Sequence, residues 1–279
     1  MRIASARGRL TLLTDRGGVD VETASKGRFH ADPQAVFDDW NEFRSWAETA
    51  AGAEAAAITE GTLDSPAPRP KQVFGIGLNY RAHAAEANLP LPDRPATFTK
   101  FPSCITGPYT DVTLPSASVD WEVELVVVIG PRAYKVAEGA AWDHVAGLTV
   151  GQDLSERVVQ WSAGGQFSLG KSLPGFGPMG PHLVTPDELP NRNDLELRCS
   201  VNGEVVQQSR TSDMVFDVAR LVAELSAILP LLPGDVIFTG TPAGVGATRK
   251  PPRFLKPGDV VESTIEGIGT IRNRCVGAK

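Results

Sequence analysis

The sequence predicts a β-dominated α+β fold, and three observations lead to this prediction. Short stretches of strand-like composition are separated by turns along most of the chain, which has 28 glycines and 22 prolines among its 279 residues. Segments with helical periodicity are few. They do not alternate regularly with the strands, as they would in a parallel α/β sheet. The length is sufficient for one large core with a small companion domain.

Residues 1–65 are expected to form that small N-terminal α+β domain. "RIASA" and "RLTLLT" have the composition of short strands. The alanine-rich segment 32–57 carries Trp40 and Phe43 at helical spacing, which predicts an amphipathic helix that packs through its aromatic side chains. The proline-rich stretch "DSPAPRP" prevents regular structure and places a domain boundary at about residue 66.

Residues 66–279 are expected to form the catalytic domain. "QVFGIGLNY" (72–80) predicts a strand that leads into a short helix at 81–88. The Asn202-Gly203 pair between two strand-like stretches predicts a hairpin. The segment 214–231 has its apolar residues on one helical face and predicts the main helix of this domain.

Composition excludes several classes of partner and chemistry. A formal net charge of -6 argues against nucleic acid or an anionic membrane as the main partner. Signal-peptide features and long apolar windows are not seen, so a cytoplasmic protein is expected. Three widely spaced cysteines indicate reduced thiols. The CxxC, HExxH and GxSxG motifs of common zinc and serine enzymes do not occur.

The stretch "VDWEVELVVVIG" places acids within a strongly apolar strand. Asp120, Glu122 and Glu124 alternate with apolar residues, so their carboxylates are expected on one face of the strand. Residues two apart rise by about 6.6 Å, so two such side chains can converge on one ion. Asp153, where another apolar strand ends on an acid, is the best third ligand for Mg²⁺, Mn²⁺ or Ca²⁺. A solvent-exposed strand face is the alternative.

His83 and Glu86 are three residues apart, which makes them neighbours on one helical turn. A carboxylate in this position can orient the imidazole ring for general-base catalysis. A surface helix pair is the alternative interpretation.

Lys100, Lys171 and Thr241 lie in segments rich in glycine, proline and apolar residues. Either lysine could meet an anionic substrate or a developing oxyanion, and Thr241 could bind a substrate carboxylate. Surface lysines that extend their apolar stems, and a tight structural turn at Thr241, are the alternatives.

The order of these segments adds a resemblance to a known family. The blocks, in chain order, are "GIGLNYRAHAAEA", "FTKFPS", "DWEVELVVVIG", "GQDLSER", "GKSLPGFGPMGP", "VNGEVVQQSRTSDMVF" and "LLPGDVIFTGTPAGVG". Over about residues 70–275 they resemble the fumarylacetoacetate hydrolase family, and residues 1–65 resemble the small leading domain of its bacterial members. The resemblance implies a mixed β-sandwich roll, a homodimer and a Mg²⁺ or Mn²⁺ ion, with Ca²⁺ as a possible substitute in crystals.

The resemblance also implies roles for individual residues. It places the metal ligands at Glu122, Glu124 and Asp153, with Asp120 beside them. The catalytic residues would be His83, Glu86 and Lys171, and the substrate contacts would be Lys100, Arg157 and Thr241. Val158 and the Ser172–Pro174 stretch depart from the family pattern, which bears on the identity of the substrate.

The activity expected from this resemblance is metal-dependent hydrolysis of a carbon–carbon bond. The substrate would be a small anionic β-diketo acid such as an acylpyruvate, a fumarylpyruvate or a fumarylacetoacetate-like compound. Decarboxylation, isomerisation (including tautomerisation) or hydration of a 2-oxo acid is the alternative. A non-catalytic ligand sensor is a further alternative, which the presence of both His83 and Glu86 disfavours.

Overall fold

Two β-sheets form the framework of the protein, whose residues 1–278 are described in a computed structural model. The strands are β1 (Arg2–Ala6), β2 (Arg9–Thr14), β3 (Gly17–Asp20), β4 (Leu63–Asp64), β5 (Val73–Gly77), β6 (Ala96–Thr99), β7 (Ile105–Thr106), β8 (Val112–Leu114), β9 (Val119–Asp120), β10 (Val123–Ile129), β11 (Val145–Gln152), β12 (Ser155–Glu156), β13 (Gly177–Val184), β14 (Glu196–Val201), β15 (Glu204–Arg210), β16 (Val236–Phe238), β17 (Val260–Ile265) and β18 (Gly269–Gly277). The helices are α1 (Val21–Ala24), α2 (Trp40–Ala47), α3 (Arg81–Glu86), α4 (Arg157–Ser162) and α5 (Val218–Ile228).

The larger sheet has eleven strands and the smaller has five. The main path of the larger sheet runs β3-β2-β1-β13-β11-β10-β16-β5-β6, and the smaller sheet runs β15-β14-β17-β18-β8. Most neighbours are antiparallel, but β16 pairs with β5, β18 with β8 and β13 with β7 in parallel. Strands β9 and β12 form a separate two-stranded sheet. Strands β10, β11 and β13 of the large sheet contact β14, β17 and β18 of the small one, and apolar side chains fill the space between them. The predicted β-dominated α+β fold is confirmed.

The N-terminal strands extend the large sheet. Strand β1 pairs with β13, with Arg2 opposite Val184 and Ile3 opposite Leu183. The helix predicted over 32–57 is shorter: α2 covers only its centre, and single 3₁₀ turns stand on either side. Trp40 and Phe43 are buried, as predicted for the packed face, and their rings are tilted with centroids 5.7 Å apart. The domain boundary at about residue 66 stays a prediction.

Helices α4 and α5 begin where the side chain of the residue before them caps the first turn. Helix α5 is shorter than the predicted 214–231 because Asp217 accepts a hydrogen bond from the Arg220 amide and so starts the helix there. Helix α4 was not predicted from the sequence, and the Glu156 carboxylate caps it through the Val159 amide. Among the helices described, none combines the length and apolar character that crossing a membrane requires.

Candidate active site

Three carboxylates converge at the point where β10 begins and β11 ends. The antiparallel register pairs Val123 with Gln152, so Glu122 lies opposite Asp153, and the Asp153 amide donates to the Glu122 carbonyl at 2.9 Å. One oxygen atom from each of Glu122, Glu124 and Asp153 lies within 4.8 Å of the others. These three residues are at most 7% exposed, which rules out the alternative of a solvent-exposed acidic face.

This cluster suits a divalent cation. The three groups offer only carboxylate oxygens, which hard ions such as Mg²⁺ and Mn²⁺ prefer. Within residues 1–278, Glu124 forms no ion pair, and its hydrogen bond comes from the Gly240 amide at 2.7 Å. Burial, together with the neighbouring charges of Asp153 and Glu122, holds the pKa of Glu124 well above its ordinary value. A bound cation would remove that penalty, so the residues present fit the implied metal.

Glu122, in contrast, is surrounded by cations. Lys171 Nζ lies 2.6 Å from Glu122 Oε2 and 2.7 Å from Asp153 Oδ2. A guanidinium nitrogen of Arg157 lies 2.8 Å from Glu122 Oε1. Burial would raise the pKa of Glu122, but the charges of Lys171 and Arg157 outweigh burial and hold it at about 2. Glu122 is therefore a carboxylate anion at neutral pH.

Lys100 lies behind Asp153, outside the cavity. Its ammonium group donates to Asp153 Oδ1 at 2.6 Å, to the Phe176 carbonyl at 3.2 Å and to the Lys171 carbonyl. Burial would lower the pKa of Lys100, but the charge of Asp153 outweighs it and raises the pKa. Because all three protons are engaged inside the protein, the geometry favours a role for Lys100 in positioning Asp153 and Lys171.

Asp120 holds the wall of the site together. Its carboxylate accepts from Arg157 at 2.6 and 2.9 Å and from the backbone amides of Gly246 and Ala247 at 2.7 and 3.0 Å. It thus ties α4, which begins at Arg157, to the loop after β16. As predicted, Asp120 lies beside the carboxylate cluster and outside it.

His83 and Glu86 form a hydrogen-bonded pair on α3. His83 Nδ1 lies 3.1 Å from Glu86 Oε2, and the Glu86 carboxylate also accepts from the Gly244 amide at 3.0 Å. Burial would raise the pKa of Glu86, but hydrogen bonds from His83 and other neighbours outweigh it and lower the pKa. An ionised carboxylate can only accept, so Nδ1 carries a proton, and in the neutral imidazole Nε2 then has the free lone pair. This arrangement is suited to general-base catalysis.

A cavity of about 520 Å³ connects these groups. Its polar lining includes His83, Glu122, Arg157, Lys171 and Thr241. The Thr241 hydroxyl donates to the Val123 carbonyl at 2.9 Å, so Thr241 can offer a substrate only its oxygen lone pair or its backbone amide. Of the sequence-predicted catalytic and substrate-binding residues, Lys100 and Glu86 do not line the cavity, and Glu86 reaches it only through its hydrogen bond to His83.

Two buried glutamines were missed in the sequence. Gln152 accepts from the Glu122 amide at 2.8 Å and donates to Ser263 Oγ at 2.8 Å. Gln207 accepts from the Val123 amide at 3.0 Å and donates to the Thr241 hydroxyl at 2.8 Å. Both therefore fix the backbone that carries the carboxylates. The available signal was a glutamine directly before Asp153, at the end of an apolar strand.

Comparison with known proteins agrees with this geometry. A family model described as "Fumarylacetoacetate (FAA) hydrolase C-terminal" matches residues 72–276, which include all of the predicted site residues. The chain belongs to the fumarylacetoacetate hydrolase family.

Relatives in the fumarylacetoacetate hydrolase family have different activities. The mitochondrial oxaloacetate tautomerase FAHD2A of Bos taurus is 48% identical over 221 residues, which cover 78% of this chain and 70% of that protein. A crystal structure from Mycobacterium smegmatis is 53% identical, covers all of both chains and has a TM-score of 0.96. Maleylpyruvate hydrolase from Sphingobium sp. SYK-6, in complex with manganese(II) and pyruvate, is 27% identical, also covers both chains and has a TM-score of 0.84. The family thus includes hydrolases and a tautomerase.

Proposed function

We propose that the protein is a metal-dependent hydrolase that cleaves the carbon–carbon bond of a 2,4-diketo acid of the acylpyruvate type. The observation that carries this proposal is the His83–Glu86 pair, which places a proton acceptor on the cavity that Glu122 also lines. The likeness to a maleylpyruvate hydrolase supports it.

Glu122, Glu124 and Asp153 would hold the Mg²⁺ or Mn²⁺ ion. When bound, such an ion polarises the oxo groups of the substrate and orients them. Arg157 and Thr241 line the cavity and would contact the substrate. Lys100 would act behind Asp153 as a positioning residue.

The hydrolytic step follows from the residues around the cavity. Glu86 orients His83, and His83 Nε2 takes a proton from water while the water oxygen bonds to the C4 carbonyl carbon. The C3–C4 bond then breaks, and its electron pair stays on the three-carbon fragment as the enolate of pyruvate. Lys171 uses two protons on Glu122 and Asp153, so a third remains to stabilise the enolate oxygen. Protonation at C3 gives pyruvate, a second carboxylate and one released proton for each water consumed.

Tautomerisation of a 2-oxo acid is the second candidate. A specific observation favours it, because a relative with 48% identity is named an oxaloacetate tautomerase. The same His83 nitrogen would then move a proton between C3 and the oxo oxygen, and no water would be consumed.

A substrate panel separates the two candidates. Purified protein with added Mg²⁺ or Mn²⁺ is assayed for pyruvate release from acylpyruvates and for keto–enol exchange of oxaloacetate. We expect His83→Ala to lower kcat for pyruvate release by about 10²- to 10⁴-fold, the usual contribution of a general base. His30→Ala, at an exposed position on another part of the chain, is the matched control. Oxaloacetate exchange without cleavage of any acylpyruvate would establish the second candidate. The homodimer and the cytoplasmic location stay predictions.

A further inference from the structure

The cavity has two ends of different chemistry. Its polar lining consists of the groups described above together with Gln160 and Thr248. The rest of the lining is apolar, and its largest side chains are Leu78, Leu89, Phe98, Trp161 and Phe167. Phe98 and Phe167 meet edge to face with ring centroids 5.8 Å apart, and Phe167 and Trp161 do the same at 4.9 Å. These rings form a continuous apolar wall, called here the aromatic wall (Phe98, Trp161 and Phe167).

The aromatic wall depends on a glycine behind it. A Cβ atom at Gly75 would lie 2.3 Å from the Phe98 ring, so only glycine at this position lets the ring lie flat on β5. Trp161 is 61% exposed and Leu89 is 53% exposed. Large exposed apolar side chains that border a cavity indicate a binding surface for an apolar group.

Lys171 is the cation that contacts the aromatic wall, with its Nζ atom 5.4 Å from the centroid of the Phe98 ring. Within residues 1–278, the lysine and arginine side chains that line the cavity are Lys171 and Arg157. Both are paired with carboxylates of the site itself, Lys171 with Glu122 and Asp153, and Arg157 with Asp120 and Glu122. A second substrate carboxylate at this end would lose its hydration without gaining a counterion, which is costly.

We propose that the group attached to C4 of the substrate is uncharged and apolar, an aryl or a medium-length alkyl chain, and that it packs on the aromatic wall. The inference rests on the proposed 2,4-diketo acid substrate and deepens it. Cavities of this size suit ligands considerably larger than a four-carbon acid.

The decisive comparison uses substrates of matched length. The series contains 2,4-dioxo acids whose C4 substituent is methyl, butyl, phenyl or a chain as long as butyl that ends in a carboxylate. We expect kcat/KM to rise by about fourfold for each buried methylene. We also expect the carboxylate-ended compound to be at least roughly tenfold poorer than its alkyl counterpart. A preference of the wild-type protein for the carboxylate-ended compound would overturn the inference.

Engineered variants test where the C4 substituent of the substrate binds. Leu89→Arg places a cation beside the cavity and should raise kcat/KM for the carboxylate-ended compound by roughly tenfold, the effect of one new charge-assisted hydrogen bond. Leu91→Arg is the matched control, because Leu91 is 50% exposed but does not line the cavity. Arg94, exposed two residues before the cavity-lining Ala96, is an alternative source of positive charge. A carboxylate preference that disappears in Arg94→Ala would place the recognition on that loop and contradict the proposal.

A binding experiment tests this inference independently of the hydrolase proposal. Calorimetry in Mn²⁺ compares 2-oxo-4-phenylbutanoate with 2-oxoglutarate, neither of which has a β-diketone to cleave. Tighter binding of the phenyl compound supports the apolar end even if no diketo acid is hydrolysed. Tighter binding of 2-oxoglutarate would overturn it even if hydrolysis is confirmed.

Discussion

Glu122 and Glu124 stand two residues apart where β10 begins, and both are buried, yet their surroundings differ in charge. Glu122 has an ammonium group at 2.6 Å and a guanidinium group at 2.8 Å. Glu124 receives a backbone amide and forms no ion pair within residues 1–278. The pKa of Glu122 is consequently held at about 2, whereas burial and two neighbouring carboxylates raise that of Glu124.

The difference separates two functions of a buried acid. Glu122 belongs to a charge network that the chain completes by itself, through Lys171 and Arg157. Glu124 is the member whose charge the chain leaves unbalanced, and a divalent cation is what would balance it. The unbalanced charge of Glu124 is therefore the main reason to expect a metal ion at this site. Three predictions test this explanation.

The largest expected effect is on activity, where the two glutamates should behave alike. Both would be ligands, so Glu122→Gln and Glu124→Gln should each lower kcat/KM at least roughly a hundredfold, because a catalytic metal contributes several kcal/mol. Manganese affinity, measured from the signal of free Mn²⁺ in electron paramagnetic resonance, should weaken in both variants. Glu262→Gln on β17, at a 41% exposed side chain, is the control. Wild-type manganese affinity in either ligand variant would remove that residue from the metal site.

The next effect concerns stability without metal, where the two glutamates should differ. Glu122→Gln keeps one acceptor oxygen and places an NH2 donor at the other position, so either Lys171 or Arg157 loses an acceptor, although Asp153 and Asp120 still pair with them. We expect a loss of about 2–3 kcal/mol in the free energy of unfolding, somewhat less than for a lone buried pair. Glu124→Gln replaces an unpaired acid by a neutral side chain of the same shape and should leave this free energy unchanged or raise it by about 1 kcal/mol.

Urea unfolding in EDTA measures the free energy of unfolding of Glu122→Gln and of Glu124→Gln, with Glu262→Gln again as the control. Equal destabilisation by the two substitutions would show that Glu124 has a counterion within the protein. That result would remove the main physical argument for the metal.

The arrangement of the site could be predicted from the sequence only in part. The alternation of acids in "VDWEVELVVVIG" and the acid after the next apolar strand are enough to place three carboxylates together, because an antiparallel register does so. The burial of Lys100 is not predictable in this way, since it depends on where β6 ends relative to β11. Gln152 and Gln207 accept hydrogen bonds from backbone amides, and the sequence offers a signal only for Gln152, which directly precedes Asp153. The aromatic wall was missed because its three rings come from separate segments: Phe98 from β6, Trp161 from the short helix α4 and Phe167 from the loop after it.

The smallest expected effect is the pH dependence of stability without metal. The pKa of Glu124 is raised in the folded state, so folding favours the protonated form. This contribution is fully present below the unfolded pKa of about 4.3 and is lost as the pH rises through the folded value. The free energy of unfolding of the wild type should therefore fall relative to Glu124→Gln with rising pH, by at most about 1.4 kcal/mol per pH unit. Saturating Mn²⁺ should abolish the difference in slope, because the bound ion keeps the carboxylate ionised. Parallel pH profiles of the two metal-free proteins would mean that Glu124 is ionised without a cation, and its contrast with Glu122 would then be lost.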